Sequence, residues 1–95
     1  MRRRYVISYD VSDDKRRARL YQLLLGYGNH VQFSVFLADL TSQELIVLRG
    51  RIRNVVNEVE DQCLLVNLGR ESRPLENTLE VVGRPYQPPA RSTIV

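Results

Sequence analysis

The stretch "RYVISYDVSDDKRRARLYQLLLGYG", residues 4–28, determines the first half of the fold. Residues 4–10 are rich in β-branched and aromatic side chains with an alternating pattern, which predicts a strand. A strand has a side-chain period of two, so Tyr9 and Asp10 lie on opposite faces. Asp10 is the last residue of this predicted strand, and arginines lie on both sides of it in the sequence.

A helix is predicted from about residue 14 to residue 26. Ser12 or Asp13 supplies an N-cap oxygen, and acids in the first turn interact favourably with the helix dipole. Gly26 and Gly28 then end the helix. The apolar residues of this segment recur at i, i+3, i+4 and i+7 and predict the buried face: Leu20, Leu23, Leu24 and Tyr27.

The rest of the chain predicts three or four further strands and a second helix. "HVQFSVFLADL", 30–40, is one bent strand or two short strands broken near Ser34. "TSQE", 41–44, is a capping box that starts the second helix. "QCLLVNL", 62–68, is a continuous apolar run typical of a central strand, and "TLEVVG", 78–83, predicts a short last strand. The residues expected to point inward from the second helix are Leu45, Leu48, Ile52, Val55 or Val56, and Val59.

These elements predict one domain over residues 1–83 and a Pro-rich tail over 84–95. We expect the tail to be extended or disordered, because proline cannot donate to a strand ladder. Strands that alternate with two amphipathic helices favour an α+β sandwich with both helices on one sheet face. The other face would be bare, so we expect a second copy of the chain to cover it across a two-fold axis.

Composition narrows the class of protein. The chain has 95 residues, of which 43% are hydrophobic and 26% charged, as in ordinary soluble domains. No apolar run approaches the roughly 20 residues that span a bilayer, and no signal-peptide pattern follows the basic start. With Cys63 as the single cysteine, no disulfide framework is possible, so we expect a cytoplasmic protein in which this thiol is a small buried hydrophobe.

Asp10 is the first candidate for chemistry. It either caps the turn that follows the strand or serves as a magnesium ligand, because Mg²⁺ prefers hard oxygens and keeps several waters. One carboxylate makes a poor metal site, but a two-fold dimer would bring two copies of Asp10 together. Two such acids repel unless a cation or a shared proton lies between them, and a metal held there could polarise a phosphate and activate water.

Arginines surround this acid, and the +3 net charge is carried by arginine far more than by lysine. Arg16, Arg17 and Arg19 lie on the first helix, and residues 2–4 precede the first strand. These cations form either a solvated charged face or a set of contacts for a phosphodiester backbone. The location of Arg17 and Arg19, within two helical turns of Asp10, favours the second interpretation.

Three further side chains have two interpretations each. His30, the single histidine, is either a general base or a packing residue. Tyr9 and Phe36 either stack on nucleobases or belong to the core. The sequence contains no Gly-rich phosphate loop, no HExxH motif and no Cys–His nucleophile set.

Two segments at this separation, "YVISYDVSDDKRRARLYQLL" and "YGNHVQFSVFLADLT", are similar to the small CRISPR-associated endoribonucleases of the spacer-acquisition machinery. The resemblance covers residues 4 to about 82. It implies a ferredoxin-like fold, a homodimer that pairs sheet faces, and a last strand that extends the partner's sheet. It also implies a divalent metal, Mg²⁺ in our interpretation, between the two strand-end acids, activity on single-stranded RNA or double-stranded DNA, and a complex with the CRISPR integrase.

The resemblance also assigns site residues. Tyr9 and Asp10 match the Tyr-Asp of the family, and Asp10 is the implied metal ligand. The remaining matches are basic positions on the first helix and two positions of the Gln-x-Ser-Val-Phe motif: Arg17, Arg19, Ser34 and Phe36. His30 replaces a frequent arginine, and Leu37 replaces a frequent acid; because Asp39 shares a face with Leu37, it is a candidate substitute.

Two functions follow as hypotheses. In the first, the protein is a magnesium-dependent endonuclease in CRISPR defence, with Asp10 at the metal, Arg16, Arg17, Arg19 and His30 near the nucleic acid, and Tyr9, Ser34 and Phe36 shaping the groove. In the second, it is a non-catalytic dimeric scaffold that holds duplex DNA for the integrase. An RNA-recognition module is disfavoured, because "HVQFSVFL" lacks the Gly and basic positions of such a motif.

Overall fold

A computed structural model describes residues 1–86. In chain order its elements are β1 (Arg3–Asp10), α1 (Asp14–Leu25), β2 (Asn29–Gln32), β3 (Val35–Leu40), α2 (Ser42–Val55), β4 (Gln62–Arg70) and the short helix α3 (Leu75–Thr78). The four strands form one sheet in the order β2-β3-β1-β4, and every neighbouring pair is antiparallel. The predicted ferredoxin-like α+β arrangement is confirmed.

One sheet face packs against α1 and α2 and forms the hydrophobic core. Alternate residues of β1, Tyr5, Ile7 and Tyr9, belong to this core, and Ile7 has no exposed surface. Leu20 of α1 and Leu48 of α2 are also fully buried and meet the sheet there. Each side chain buried to this extent contributes roughly 1.5–3 kcal/mol, so alternation in the strand and helical periodicity in α1 select the same packing face.

The helix boundaries follow from local capping. The Asp13 carboxylate accepts a hydrogen bond from the Arg16 backbone N–H at 2.9 Å, which makes Asp13 the N-cap of α1. At the start of α2, the Thr41 hydroxyl accepts from the Glu44 N–H at 3.1 Å, while the Glu44 carboxylate accepts from the Thr41 N–H at 2.8 Å. The predicted capping box is confirmed.

The segment 30–40 folds as two short strands rather than one bent strand. The turn between β2 and β3 places Ser34 at φ 66°, a left-handed conformation that ends the first strand. Gly28, just before β2, is required for a different reason. A Cβ there would lie 2.3 Å from the Leu37 carbonyl oxygen, so only glycine allows this close approach of the chain to β3.

Two expectations for the second half of the domain are wrong. The strand at 62–68 was expected to be central, but β4 is an edge strand, paired on one side with β1. Its alternate residues stay exposed because its outer face is not covered by the helices. Val59 was expected to point inward, but α2 ends at Val55 and Val59 is 93% exposed.

The strand expected at 78–83 is also wrong. Residues Leu75–Thr78 form a helical turn, and residues 79–83 have no regular secondary structure. The chain beyond β4 folds back on its own sheet. The Arg4 guanidinium donates to the Arg73 carbonyl at 2.9 Å and to the Thr78 hydroxyl at 2.6 Å, and the Tyr86 hydroxyl donates to the His30 carbonyl at 3.5 Å.

The sheet face opposite the helices is therefore not entirely bare. Arg4 precedes Tyr5 in β1 and lies on that open face, yet it is only 6% exposed. The predicted tail over 84–95 lies mostly outside the described residues, which end at residue 86. None of the helices within residues 1–86 has the length and apolar character needed to cross a membrane.

Candidate functional site

Asp10 lies at the end of β1, on the open face of the sheet. Its strand neighbour is Gln62, the first residue of β4. Asp10 is exposed, and its carboxylate makes no hydrogen bond or ion pair with any residue that the structure describes. The interpretation in which this acid caps the following turn is therefore not the arrangement found among residues 1–86. Asp10 is thus available to a ligand outside the chain.

Tyr9 and Ser34 bring the β2–β3 turn against the end of β1. The Tyr9 N–H donates to the Ser34 carbonyl at 3.1 Å, so the turn lies one residue from Asp10. The Tyr9 side chain points into the core and is 7% exposed. Burial raises the pKa of its phenol, the neighbouring Tyr21 adds to that effect, and the positive charge of Arg17 opposes it.

Arg17 is held over the loop that follows Asp10. Its guanidinium donates to the Val11 carbonyl at 3.1 Å and to the Ser12 carbonyl at 3.3 Å, and it pairs with the Asp14 carboxylate. A third of its side chain remains exposed. The cation is therefore fixed over residues 11–14, directly after the end of β1.

The other two helix arginines differ in their freedom. Arg16 joins α1 to the loop before β4 through Asp61 at 2.7 Å and Glu60 at 3.1 Å. These bonds satisfy its guanidinium within the fold, so its predicted contact with nucleic acid would require an ion pair to break. Arg19 is exposed and makes no ion pair within residues 1–86. Of the three arginines on α1, Arg19 is therefore the one that an external phosphate can contact without breaking an ion pair.

Phe36 and His30 form an aromatic cluster under the site. Phe36 has no exposed surface, so it supports the site through packing and does not offer a face to a nucleobase. The His30 ring is half-buried, with its centroid 5.1 Å from that of Tyr21 and 5.0 Å from that of Phe36. This environment is that of a packing residue, the second of the two interpretations of His30.

Asp39 lies far from Asp10 and is already paired. It is the register partner of Arg4, six residues before Asp10 on β1, which places the two acids roughly 20 Å apart. Arg4 donates to both Asp39 oxygens, at 2.8 and 3.1 Å. These bonds hold the pKa of Asp39 below its usual range. Within one chain, Asp39 therefore does not replace the acid missing at Leu37, although the shared face was predicted correctly.

Two residues near the site were not predicted. Phe33, at the tip of the β2–β3 turn, is 83% exposed and is the aromatic side chain that is accessible beside Tyr9 and Ser34. Gln62 pairs with Asp10 across the sheet. The predicted break near Ser34 was the available signal for Phe33, because a break moves the preceding side chain from a strand face to a turn. The strand pairing that selects Gln62 has no local signal.

Asp10 is the metal-ligand candidate that a single chain places at the end of β1. No group of three or more His, Cys, Asp or Glu side chains among residues 1–86 could hold a metal ion. An exposed carboxylate without a partner fits a Mg²⁺ site of the kind that uses one or two carboxylates and several waters. A second copy of the chain would supply the second carboxylate of such a site.

The amino-acid sequence is similar to those of known proteins. Residues 1–74 match the family model described as CRISPR associated protein Cas2. A protein of Geobacter sulfurreducens named CRISPR-associated endoribonuclease Cas2 is 31% identical over 96% of this chain and 95% of its own length. A protein of the same name from Thermus thermophilus is 50% identical over 59% of this chain. That match spans 60% of the length of the Thermus protein.

Solved structures have the same fold. A hypothetical protein of Thermus thermophilus superposes with a TM-score of 0.78 at 32% identity, covering 94% of this chain and 100% of the other. Cas2 of Streptococcus pyogenes, solved at pH 6.5, superposes with a TM-score of 0.73 at 26% identity, covering 84% of this chain and 99% of the other. The sheet order and the two-helix layer described above are thus those of solved Cas2 structures.

Proposed function

The chain belongs to the Cas2 family of CRISPR-associated proteins, and from that premise we propose that it is a homodimeric, magnesium-dependent endonuclease of CRISPR defence. The relatives named endoribonuclease support the nuclease activity. The single observation that carries the proposal is the exposed Asp10 carboxylate, which ends a central strand and has no partner among the described residues.

The open sheet face supports the dimer. Val66 and Leu64 of β4 pair with Val6 and Ser8 of β1, so their side chains share the face opposite the helices. Val66 is 47% exposed and Leu64 is 49% exposed. A second copy placed on these residues would bury them, at a gain of about 25 cal/mol for each Å² of apolar surface removed from water. Because Asp10 lies on the same face, a two-fold axis through it would bring the two carboxylates toward each other.

The chemistry divides between the metal and the chain. A bound Mg²⁺ would supply Lewis acidity and lower the pKa of a coordinated water. Asp10 from each protomer would hold that ion and keep it at the sheet end. Arg17, held over the β1–α1 loop, would orient a phosphate oxygen by exchanging its ion pair with the exposed Asp14 for the phosphate. Arg19, two residues further along α1, would contact the nucleic-acid backbone. Phe33, exposed on the turn, would stack on an unpaired base.

Asp10→Asn tests this function. The variant keeps the shape of the side chain but halves its oxygen ligands and removes its charge, so we expect a folded dimer without Mg²⁺-dependent cleavage of single-stranded RNA or double-stranded DNA. Glu58→Gln is the matched control, since Glu58 is exposed and unpaired within residues 1–86 and lies before β4. Cleavage is measured across a magnesium titration, with dimer mass measured by light scattering. An Asp10→Asn dimer that cleaves like the Glu58→Gln protein contradicts the proposal.

Val66→Asp separates the dimer from the chemistry. A charge on the open face would be desolvated in the dimer interface, so we expect monomers that retain the helical circular-dichroism signal but do not cleave. Cleavage by a proven monomer would contradict the shared-metal arrangement while leaving the nuclease assignment in place. Mixing Asp10→Asn with wild-type chains should lower activity below the fraction of wild-type chains, because heterodimers carry one metal carboxylate.

A scaffold function is the second candidate, and the unpaired, exposed Arg19 favours it. Exposed arginines of each chain can bind the phosphates of DNA without a metal centre. In this alternative the protein and the CRISPR integrase form a complex in which duplex DNA runs over the dimer. Asp10→Asn would then support spacer acquisition in cells, while Arg19→Glu would not. Failure of Asp10→Asn to support spacer acquisition favours catalysis, since Arg19 contacts the nucleic acid in both hypotheses.

A further inference from the structure

The outer surface of α2 combines exposed aliphatic side chains with arginines. Ile46 is 63% exposed and Val47 is 47% exposed, whereas Leu48 and Ile52 point into the core. At 100° per residue, Gly50 lies on the side of the helix directly opposite those two buried residues. The α2 outer surface is defined here as Ile46, Val47, Arg49, Gly50, Arg51 and Arg53.

No contact within the described residues requires a glycine at position 50. It lies inside a helix, where glycine is roughly 1 kcal/mol less favourable than alanine. A Cβ added there would meet no atom within 4 Å, so neither close packing nor a strained backbone requires glycine. A conformational cost at an exposed helix position, with open space above it, is explained when another chain approaches the helix backbone at that point.

Arginines lie on both sides of Gly50 around the helix. Arg49 and Arg53 lie one turn apart on one side, where like charges at i, i+4 destabilise a helix. Arg51 lies on the other side, with its guanidinium carbon 5.9 Å from the centre of the Tyr27 ring. None of the three forms an ion pair with a carboxylate in residues 1–86. Carboxylates on a partner would relieve the repulsion and pair with all three cations.

We propose that the α2 outer surface binds an amphipathic helix of a protein partner, with an apolar stripe on Ile46 and Val47, close backbone approach at Gly50, and acidic residues along both borders. Arginine is enriched in protein interfaces, and a helix that packs on the outer side of another helix makes contact through its i, i+3 and i+4 side chains. A nucleic-acid backbone would use the arginines but would leave the aliphatic centre and the glycine without a role.

This surface is separate from the proposed dimer and metal site. The helices cover one face of the sheet, and Asp10 lies on the other. An α2 partner could therefore bind while the open faces are paired. A dimer would present two copies of the surface on its outer sides, so an elongated partner or two partner chains could be held at once. Binding here does not depend on whether Asp10 is catalytic.

The test uses three probes on the intact protein. The first is a synthetic helical peptide with a leucine stripe bordered by glutamates, the second is the same peptide with lysines in place of the glutamates, and the third is a short DNA duplex. Amide chemical-shift mapping locates each contact. We expect the glutamate peptide to shift the amides of residues 46–53 and the lysine peptide to leave them unchanged. Equal shifts from both peptides, or no shift from the glutamate peptide, overturn the proposal.

Two variants make the test specific. The double variant Arg49→Glu with Arg53→Glu should lower the affinity for the glutamate peptide about tenfold, because two ion pairs become repulsive. Gly50→Ala should raise the thermal midpoint of the protein but weaken peptide binding several-fold, since the methyl group separates the two backbones. Arg3→Glu, on β1 and outside the α2 outer surface, is the matched control for the added negative charge and should leave peptide binding unchanged.

The sign of the Gly50→Ala result decides the inference. Higher stability with weaker binding supports close approach of a partner helix at this position. Higher stability with unchanged binding overturns it. Stronger shifts of residues 46–53 by the DNA duplex than by the glutamate peptide also overturn it and assign the surface to nucleic acid instead.

Discussion

Arg4 holds the chain beyond β4 on the open sheet face, and replacing it should release that segment. Arg4 is 6% exposed, donates twice to Asp39, and also bonds to Arg73 and Thr78. In Arg4→Met the apolar stem of the side chain is retained, but all of these bonds are lost. The Asp39 carboxylate and two polar groups of the segment 73–78 then lose their donor.

The magnitude follows from burial. Removing one member of a buried ion pair costs roughly 3–5 kcal/mol, because the remaining charge is left without compensation. The Asp39 side chain is 30% exposed, so water can partly replace the guanidinium. We therefore expect a loss near the lower limit, about 3 kcal/mol, which for a domain of this size lowers the thermal midpoint by roughly 15 °C.

Two measurements check the Arg4→Met prediction. Thermal unfolding gives the change in midpoint, and amide hydrogen exchange shows where protection is lost. Protection should fall first over residues 71–78, before the strands of the core open. Arg3→Met is the matched control, since Arg3 is the preceding residue of β1 but is exposed and forms no ion pair within residues 1–86. A midpoint within two or so degrees of the control, with unchanged exchange over 71–78, would refute this reasoning.

Three further outcomes are expected. Gly28→Ala should destabilise the domain by roughly 1–3 kcal/mol in urea unfolding, because its Cβ would overlap main-chain atoms of β3, whereas Gly26→Ala, with its nearest contact at 3.4 Å, should be close to neutral. Burial raises the pKa of the Cys63 thiol to about 11, so the native protein should react slowly with a thiol reagent at pH 8, and rapid labelling without denaturant would contradict this packing. Arg16 holds the pKa of Asp61 below its usual range, so the stabilisation from this pair is present above about pH 4 and is lost as the pH falls through the lowered pKa. Asp61→Asn should therefore lower the midpoint at pH 7 but reduce its dependence on acid, as measured by thermal melts from pH 7 to pH 3.

Local chemistry made much of the fold predictable. The alternation in β1, the periodicity of α1 and the capping box at Thr41 act over a few residues, and the structure has each of them where it was predicted. The break near Ser34 was predicted as one of two alternatives, and the positive φ there selects two strands. Val59 was placed wrongly because the periodic pattern of α2 continues beyond the point where the helix ends.

Long-range pairing accounts for the part of the candidate site that was not predicted. Arg16 was expected near nucleic acid, but Asp61, forty-five residues away, pairs with it. The position of Asp39 opposite Arg4 follows from the register between β1 and β3, and no feature near Asp39 in the sequence indicates it. Phe33 became accessible through the turn that precedes Ser34.

The sequence by itself determined the order of the elements from β1 to β4, the layer of two helices, the family and the position of Asp10 at a strand end. These properties depend on periodicity, caps and short motifs, which are complete within a few neighbouring residues. Only the tertiary structure decided which arginines are paired, that β4 lies at an edge, and that residues 71–86 fold back across the sheet. Those outcomes depend on contacts between distant segments, whose partners are chosen by the register of the sheet and by competition for each buried charge.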